Sequence, residues 1–521
     1  MQQYPFNNLY EILENNLVKK SNKTIIFQDD IKITNQQLKI YVDNVAKFLV
    51  SKNIKKGDRV GIIMSNCWQY IVNIFAISKL GAIVVPINNF FKSDEIAYIL
   101  NDVKAKLLFS SAKFSSETVE LLAKTDVENI IWVEDLPINN EHNISYNDVI
   151  NNNLDDINAY KSEIEDTAFI LFTSGTTGKP KGAELSFKNI FSNCEGSKVL
   201  MSAQDGDIKM ICYLPMFHAF TLTATVILPI YSNSGVVVIT SLNTKSDFKK
   251  LLKQLLFKRC RFFAGVPDVY NAISKAKLPW YFHWFHNVKG FISGAAPLSD
   301  EIYKRFTNSF KRGMLLEGYG ITECSPIVSC NSPLNNKIGS VGKPYINYEV
   351  KIFDENMNEQ PINSVGEICV KGDCVMKGYY NRLEDTKTSI INGWFRTGDI
   401  GRVDEDGYIF IMDRKKDLII SKGMNIYPRE IEEVIYTNFK VNACAVIGIQ
   451  DNDAGEIPIA FVELREKEEC TESELKDFIR PHLATFKLPR RIFFEKELPR
   501  NATKKILKRE LRLIYQERNK K

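Results

Sequence analysis

The sequence predicts a mixed α/β protein: a large N-terminal unit of α/β layers ending in a β-rich section, then a small α/β C-terminal unit. Three observations predict it. Apolar residues alternate between helical and strand spacing from residue 24 to about 335. From roughly 338 to 411, short apolar runs are separated instead by Gly, Asn and Asp turns. The residues after 413 carry a compact α/β pattern of their own. At 521 residues the chain is also longer than one ordinary core organises.

Taken in order, Gln36 to Ser51 has helical spacing and Arg59–Met64 reads as a short buried strand. A helix over Tyr70–Leu80 and a strand at Gly81–Ile87 follow, then strands at Ala105–Phe109, Asn129–Val133 and Ala168–Phe172. In the β-rich section, Val350–Asp354 and Gly366–Val370 are strands. Between the strands Tyr408–Met412 and Leu418–Ile420 lies the charge run Asp413-Arg414-Lys415-Lys416-Asp417, which alone reads as a solvated turn. We set the boundary between units, 1–412 and 413–521, at Met412/Asp413. The second unit reads as helix Glu430–Tyr436, strands Ala443–Ile449 and Pro458–Leu464, helix Leu475–Leu483 and strand Arg491–Phe494.

A composition of 44% hydrophobic and 25% charged residues is that of a soluble globular protein. A net charge of +5 neither demands nucleic acid nor excludes anionic ligands, and no nucleic-acid partner is expected. Ten scattered cysteines without a CxxC pair read as reduced thiols, not as a disulfide framework or a zinc site. The first residues lack the basic start and apolar core of a signal peptide, and Lys79 and Ser232–Gly235 break the longest apolar stretches. The expectation is a cytoplasmic protein, at most peripheral at a membrane.

The strand at Ala168–Phe172 delivers the chain into Thr173-Ser174-Gly175-Thr176-Thr177-Gly178-Lys179-Pro180-Lys181-Gly182. Four hydroxyls, three glycines and two lysines stand together there with little bulk between them. Glycine permits positive φ and close approach, and successive amides in such a turn form an anion-binding concavity. That is equipment for a polyphosphate. It is not the Walker loop, because Pro180 follows Gly178-Lys179 where Ser or Thr is required.

The loop resembles the signature of the adenylate-forming superfamily, which includes acyl- and aryl-CoA synthetases, luciferase and peptide-synthetase adenylation domains. Further segments follow in that superfamily's order: Ser293-Gly294-Ala295-Ala296-Pro297-Leu298, Glu317-Gly318-Tyr319-Gly320-Ile321-Thr322-Glu323, Trp394-Phe395-Arg396-Thr397-Gly398-Asp399, and the run from Asp413 to Glu432. The resemblance implies that Gly294, Ala295, Ala296, Gly318, Tyr319 and Gly320 wall the adenine and acyl pockets. It implies that Thr322 bonds the α-phosphate and that Glu323, with Thr176, holds Mg2+. Asp399 would accept from the ribose hydroxyls, Arg414 would reach the nucleotide, and the loop at Gly423 would flank the pantetheine of CoA. In Leu498-Pro499-Arg500-Asn501-Ala502-Thr503-Lys504-Lys505-Ile506 the family's bridging lysine falls on Lys505. The glycine that precedes it in the family is Lys504 here, which leaves Lys504 as an alternative register.

Glu317–Ser329, Arg480–Pro489 and Leu214–Phe220 are similar to bacterial long-chain fatty-acid–CoA ligases. His218 is thereby a candidate in the acyl site, against a plainer role as a core histidine. The implied chemistry joins a carboxylic acid, ATP and CoA with Mg2+, through an acyl-adenylate. Transfer to a carrier protein, an aryl acid as substrate, and a catalytically impaired nucleotide-binding homologue are the alternatives. Finally, five aromatics crowd Pro279-Trp280-Tyr281-Phe282-His283-Trp284-Phe285-His286. They suit either a packed element beneath the acyl pocket or a patch that meets a membrane interface.

Overall fold

The first long helix shows how local sequence sets the architecture. Thr34 and Gln37 form a reciprocal capping box that starts the helix Asn35–Ser51. Its buried stripe, Leu38, Val42, Val45, Ala46 and Leu49, recurs at helical spacing and packs on the almost wholly buried helix Trp68–Lys79. The computed structural model describes residues 3–173, 179–242, 244–276, 278, 280–310, 312–422, 424–451, 454–501 and 505–519. The calls on Ser174, Gly175, Thr176, Thr177, Gly178, Gly423 and Lys504 lie outside them.

Beneath these helices runs an eight-stranded sheet in the order Gly378–Tyr379, Lys181–Ser186, Thr167–Thr173, Ile83–Pro86, Arg59–Ile63, Leu107–Ser110, Asn129–Trp132, Asn143–Ser145. Its strands from Thr167–Thr173 onward are parallel, and the two at the other edge are antiparallel. A second sheet sets Phe262–Gly265, Gly290–Ser293 and Met314–Gly320 parallel, with Ile327–Cys330 and Lys343–Pro344 antiparallel beside them. A four-stranded sheet joins Met210–Cys212 and Val236–Val238 to Thr24–Gln28 and Ile31–Thr34.

The β-rich section forms its own sheet from Tyr348–Phe353, Gly366–Gly372, Trp394–Val403, Ile390–Ile391 and Ile409–Arg414. One piece of it departs from the sequence expectation. Gly378–Tyr379 leaves this sheet and pairs with Lys181–Ser186, and the helix Leu383–Ser389 that follows packs on both Gly378–Tyr379 and the β-rich sheet. The last sheet, Met424–Ile426, Ile419–Ser421, Gly455–Leu464, Val441–Asp451 and Arg491–Glu495, is covered on its two faces by separate apolar clusters. Ile431, Ile435, Leu475 and Ile479 belong to one, Leu498 and Leu511 to the other, and neither recruits a residue before 419.

Two local expectations are corrected. The helix expected to reach Leu483 ends at Ile479, where Pro481 removes a donor and the chain tightens into a 3-10 turn. The charge run is not a solvated turn: Asp413 and Asp417 are both buried. Asp413 accepts from the backbone N–H groups of Arg414 at 2.7 Å and Arg429 at 2.8 Å, and Asp417 pairs with Arg512 at 3.0 Å.

Close backbone packing constrains the turn after Met314–Gly320. A Cβ on Gly320 would stand 1.8 Å from the carbonyl oxygen of Pro326, whereas one on Gly294 would find nothing nearer than 3.7 Å. Gly320→Ala should therefore lose about 1–3 kcal/mol of stability, measured by denaturant unfolding, because backbone must move. Gly294→Ala should unfold as the wild type and show its effect only in nucleotide affinity.

Candidate active site

The loops at the C-terminal ends of the parallel strands converge on one cavity of about 1010 Å³. Its wall takes Thr173 and Lys181 from the large sheet, and Gly294, Ala295, Gly318, Tyr319, Gly320, Thr322 and Glu323 from the second sheet. Asp399 and Arg414 come from the β-rich sheet, Lys505 from the C-terminal unit, and His218 from the turn ahead of a seven-residue π-helix, Thr221–Ile227. Ala296 does not line it.

Two carboxylates organise the polar end. Glu323 Oε1 accepts from the Tyr379 hydroxyl at 3.0 Å and the Thr173 hydroxyl at 3.3 Å. That leaves a hard oxygen ligand among hydroxyls. Among the described residues no three His, Cys, Asp or Glu side chains could hold a metal by themselves. A single carboxylate of this kind suits Mg2+, which is usually held by one or two carboxylates and bound phosphates. Asp399 is buried, accepts from the Tyr319 hydroxyl at 2.6 Å, and pairs with Arg414 Nε at 3.2 Å. Burial and the Asp399 charge hold the Tyr319 phenol well above its ordinary range.

The cations are arranged unequally. Lys181 Nζ is tied to Asp385 at 2.5 Å, and Lys179 Nζ stands 5.5 Å over the Tyr98 ring. Burial, and then the neighbouring Arg414, pulls the Lys505 ammonium down to about 8. Burial, and then Lys505, lowers the His218 imidazole to about 4, so it is neutral near pH 7. His218 Nδ1 accepts from the Phe220 N–H at 3.3 Å, which leaves Nε2 to carry the proton.

Sequence reading missed Tyr379, Asp385 and Glu367. Tyr379 reaches Glu323 only because Gly378–Tyr379 pairs with Lys181–Ser186, a contact between distant segments with no local signature. Glu367, also buried, takes the Arg396 guanidinium at 2.7 Å and the Gly398 N–H at 3.2 Å, and so props the turn that carries Asp399.

Residues 13–380 match the family model described as "AMP-binding enzyme", and residues 430–505 match "AMP-binding enzyme C-terminal domain". The chain belongs to the AMP-binding enzyme family. This AMP-binding enzyme is 32% identical over 536 residues to a long-chain-fatty-acid--CoA ligase of Bacillus subtilis (strain 168), covering 97% of this chain and 94% of that one. It is 29% identical to 4-coumarate--CoA ligase 1 of Solanum tuberosum, covering 98% and 93%. ATP-bound MatB from Rhodopseudomonas palustris superposes with a TM-score of 0.89 at 28% identity, covering 98% of this chain and 99% of that one. Apo MatB, over the same extents, gives 0.78.

The charge state of Lys505 yields a pH prediction. A lysine lowered to about 8 is a cation below that pH and neutral above it. ATP affinity of the free enzyme should therefore fall as pH rises through about 8. Titration of binding against pH checks this, and Lys505→Met should flatten that limb.

Proposed function

We propose that this enzyme is an AMP-forming acyl-CoA synthetase acting on fatty acids of medium to long chain. The observation that carries the proposal is the apolar limb of the cavity. Its walls are Met201, Met210, Ala224, Leu228, Ala264, Ile292, Pro326 and Ile327, with Ser197 and Tyr345 hydrogen-bonded to each other at 3.1 Å. Among the described residues, every lysine and arginine of the cavity wall, from Lys181 to Arg396, Arg414–Lys416, Arg500 and Lys505, stands on a segment other than those that carry these residues. A second carboxylate on the acid would meet no cation in the limb, and burying an unpaired charge is costly. A ring hydroxyl would find there only Ser197 and Tyr345, which already share a hydrogen bond. An alkyl chain asks for neither, and the two methionines adapt to its shape. The named relatives, a fatty-acid and a coumarate ligase, leave both acid classes in the family.

The reaction takes ATP and CoA as substrates and Mg2+ as cofactor. The carboxylate attacks the α-phosphorus of ATP, giving acyl-adenylate and pyrophosphate. The CoA thiol then attacks the acyl carbon and AMP leaves. Mg2+ would neutralise the phosphate charge, held by Glu323, with Thr176 of the phosphate loop as second ligand. Thr173, Ser174, Gly175, Thr177, Gly178 and Lys181 would cradle the phosphates, which requires Lys181 to exchange Asp385 for them. Thr322 donates to the α-phosphate, Asp399 accepts from the ribose, and Lys505 lies between the two anions that must meet. Neutral His218, in the wall of the same cavity, would orient the acyl carboxyl without adding charge.

The second step asks for a different arrangement of the same chain. The C-terminal unit turns about Asp413, withdrawing Lys505 and bringing the Gly423 loop to the pantetheine. The higher similarity to ATP-bound than to apo MatB supports an adenylating arrangement here. One tie between the units is Arg465, which meets Glu301 at 3.0 Å.

ATP–pyrophosphate exchange with decanoate, palmitate, benzoate and 4-coumarate, followed by thioester formation with CoA or a holo carrier protein, tests the reading. Fatty acids and CoA should dominate. Preference for an aryl acid or for the carrier protein would replace it with one of those alternatives. Lys505→Ala should slow adenylation a hundredfold or more, at about 3 kcal/mol for a charge-assisted contact made in the transition state. Thioester formation from pre-made acyl-adenylate should be largely spared. Selective loss with Lys504→Ala instead would move the register by one. Arg465→Gln should shift the balance toward thioester formation about two- to fivefold, since a half-exposed ion pair contributes at most about 1 kcal/mol. Glu301→Gln, which loses the Arg305 pair as well, should shift the ratio of the two half-reactions in the same direction.

A further inference from the structure

We propose that the N-terminal edge of the second sheet, the end opposite the nucleotide cavity, docks on an anionic lipid surface. Parallel register sets Phe262, Gly290 and Met314 side by side at that edge. The backbone hydrogen bonds from Lys289 to Arg261 at 2.7 Å and from Met314 to Lys289 at 3.0 Å close it. Three separate segments therefore deliver their lead-in residues to one place. Phe257 ends the helix Lys245–Phe257, Phe285 ends the short helix Trp280–Phe285, and Met314 opens its strand.

These residues face solvent. Trp280 is 73% exposed, Phe257 and Phe285 are 67% exposed, and Met314 and Tyr281 are also exposed. The short helix is nonetheless seated, not dangling. Phe282 and His286 are buried in an aromatic cluster, with Phe282 6.2 Å from Phe310, His286 6.0 Å from Phe291, and Phe306 stacked on Phe310 at 4.6 Å. So the aromatic stretch divides: one side packs beneath the strand whose Ile292 lines the acyl limb, and the other is presented outward. His283 and Trp284 lie outside the described side chains.

Charge selects the occupant. Arg259, Lys289 and Arg312 are exposed around the aromatics. No acidic residue occurs between Asp268 and Asp300. Nearby Asp207 is engaged by Arg261 at 2.5 Å. Exposed Trp, Tyr and Phe with basic neighbours are what the headgroup region of an anionic bilayer favours. No described helix is long and apolar enough to cross a membrane, so the contact is a surface one. Because the edge is opposite the cavity, docking leaves ATP and CoA free access from water. It would hold the enzyme where fatty acids concentrate; that purpose rests on the acyl-limb reading, but the contact itself does not.

The test is co-sedimentation of the full chain with vesicles of phosphatidylcholine, with and without phosphatidylglycerol. Three proteins are compared: wild type, Phe257→Ser/Phe285→Ser, and Arg259→Glu/Lys289→Glu. Wild type should bind the anionic vesicles and release with salt. Each cation lost should weaken binding roughly fivefold, and the aromatic pair at least tenfold. Thermal unfolding, and thioester formation from a water-soluble acid without vesicles, should match the wild type in both variants. Equal binding by all three, or no binding by wild type, overturns the proposal. Self-association of wild type that the aromatic variant abolishes, without vesicle binding, assigns the edge to a second copy instead and also overturns it. A failure of fatty-acid specificity would appear in the soluble assays alone, which separates the two conclusions.

Discussion

A buried carboxylate needs a partner, and Asp399 has two that come from different parts of the chain. Tyr319 stands on the second sheet and Arg414 at the end of the strand Ile409–Arg414, just past the boundary at Met412/Asp413. An ion pair in a dry site is stabilising only when its remaining lone pairs are satisfied, and removing one partner leaves an uncompensated charge. Asp399 thus fixes the second sheet, the β-rich sheet and the start of the C-terminal unit relative to one another. Glu367, through Arg396 and the Gly398 N–H, holds the turn behind it. The cavity exists where these sheets meet.

The second carboxylate works on a different principle. Glu323 accepts hydroxyls from Thr173 and Tyr379 and, among the described residues, pairs with no lysine or arginine, so its carboxylate is oriented by neutral donors. A metal or phosphate-bound cation can then find it ready. Nearby, Lys181 is already paired with Asp385. The polar end is in this sense half-assembled: its anions are positioned, Lys181 is held by Asp385 and Arg414 by Asp399, and burial makes the Lys505 proton easier to lose.

Local pattern made most of the elements legible. Helix Asn35–Ser51 and strand Thr167–Thr173 were readable because capping, spacing and apolar runs are properties of contiguous residues. The wall from Gly318 to Glu323 was readable because one segment carries it. What could not be read arises between segments. Tyr379 and Asp385 matter through a strand pairing that joins residue 378 to residue 184, and no residue near either announces it. The apolar limb is likewise assembled from six or so stretches, each an ordinary core sequence. The aromatic stretch gave its composition but not its division, which depends on which ring finds Phe306 and Phe310.

The contrast between cores and joints explains how the chain could turn without unfolding. Each face of the last sheet is sealed by apolar residues from after 418, so the C-terminal unit would keep its apolar burial through the proposed turn. Beside the Arg414 pair with buried Asp399, the ties to the rest of the chain include partly exposed ones: Arg465 with Glu301, and Lys415 with Glu355 at 3.5 Å. Such pairs contribute up to about 1 kcal/mol each and exchange readily with water. Apolar contact of the same area would hold one arrangement more tightly and oppose the second. A weak, directional interface would suit the two successive geometries of the proposed turn about Asp413, whose carboxylate accepts from two backbone N–H groups.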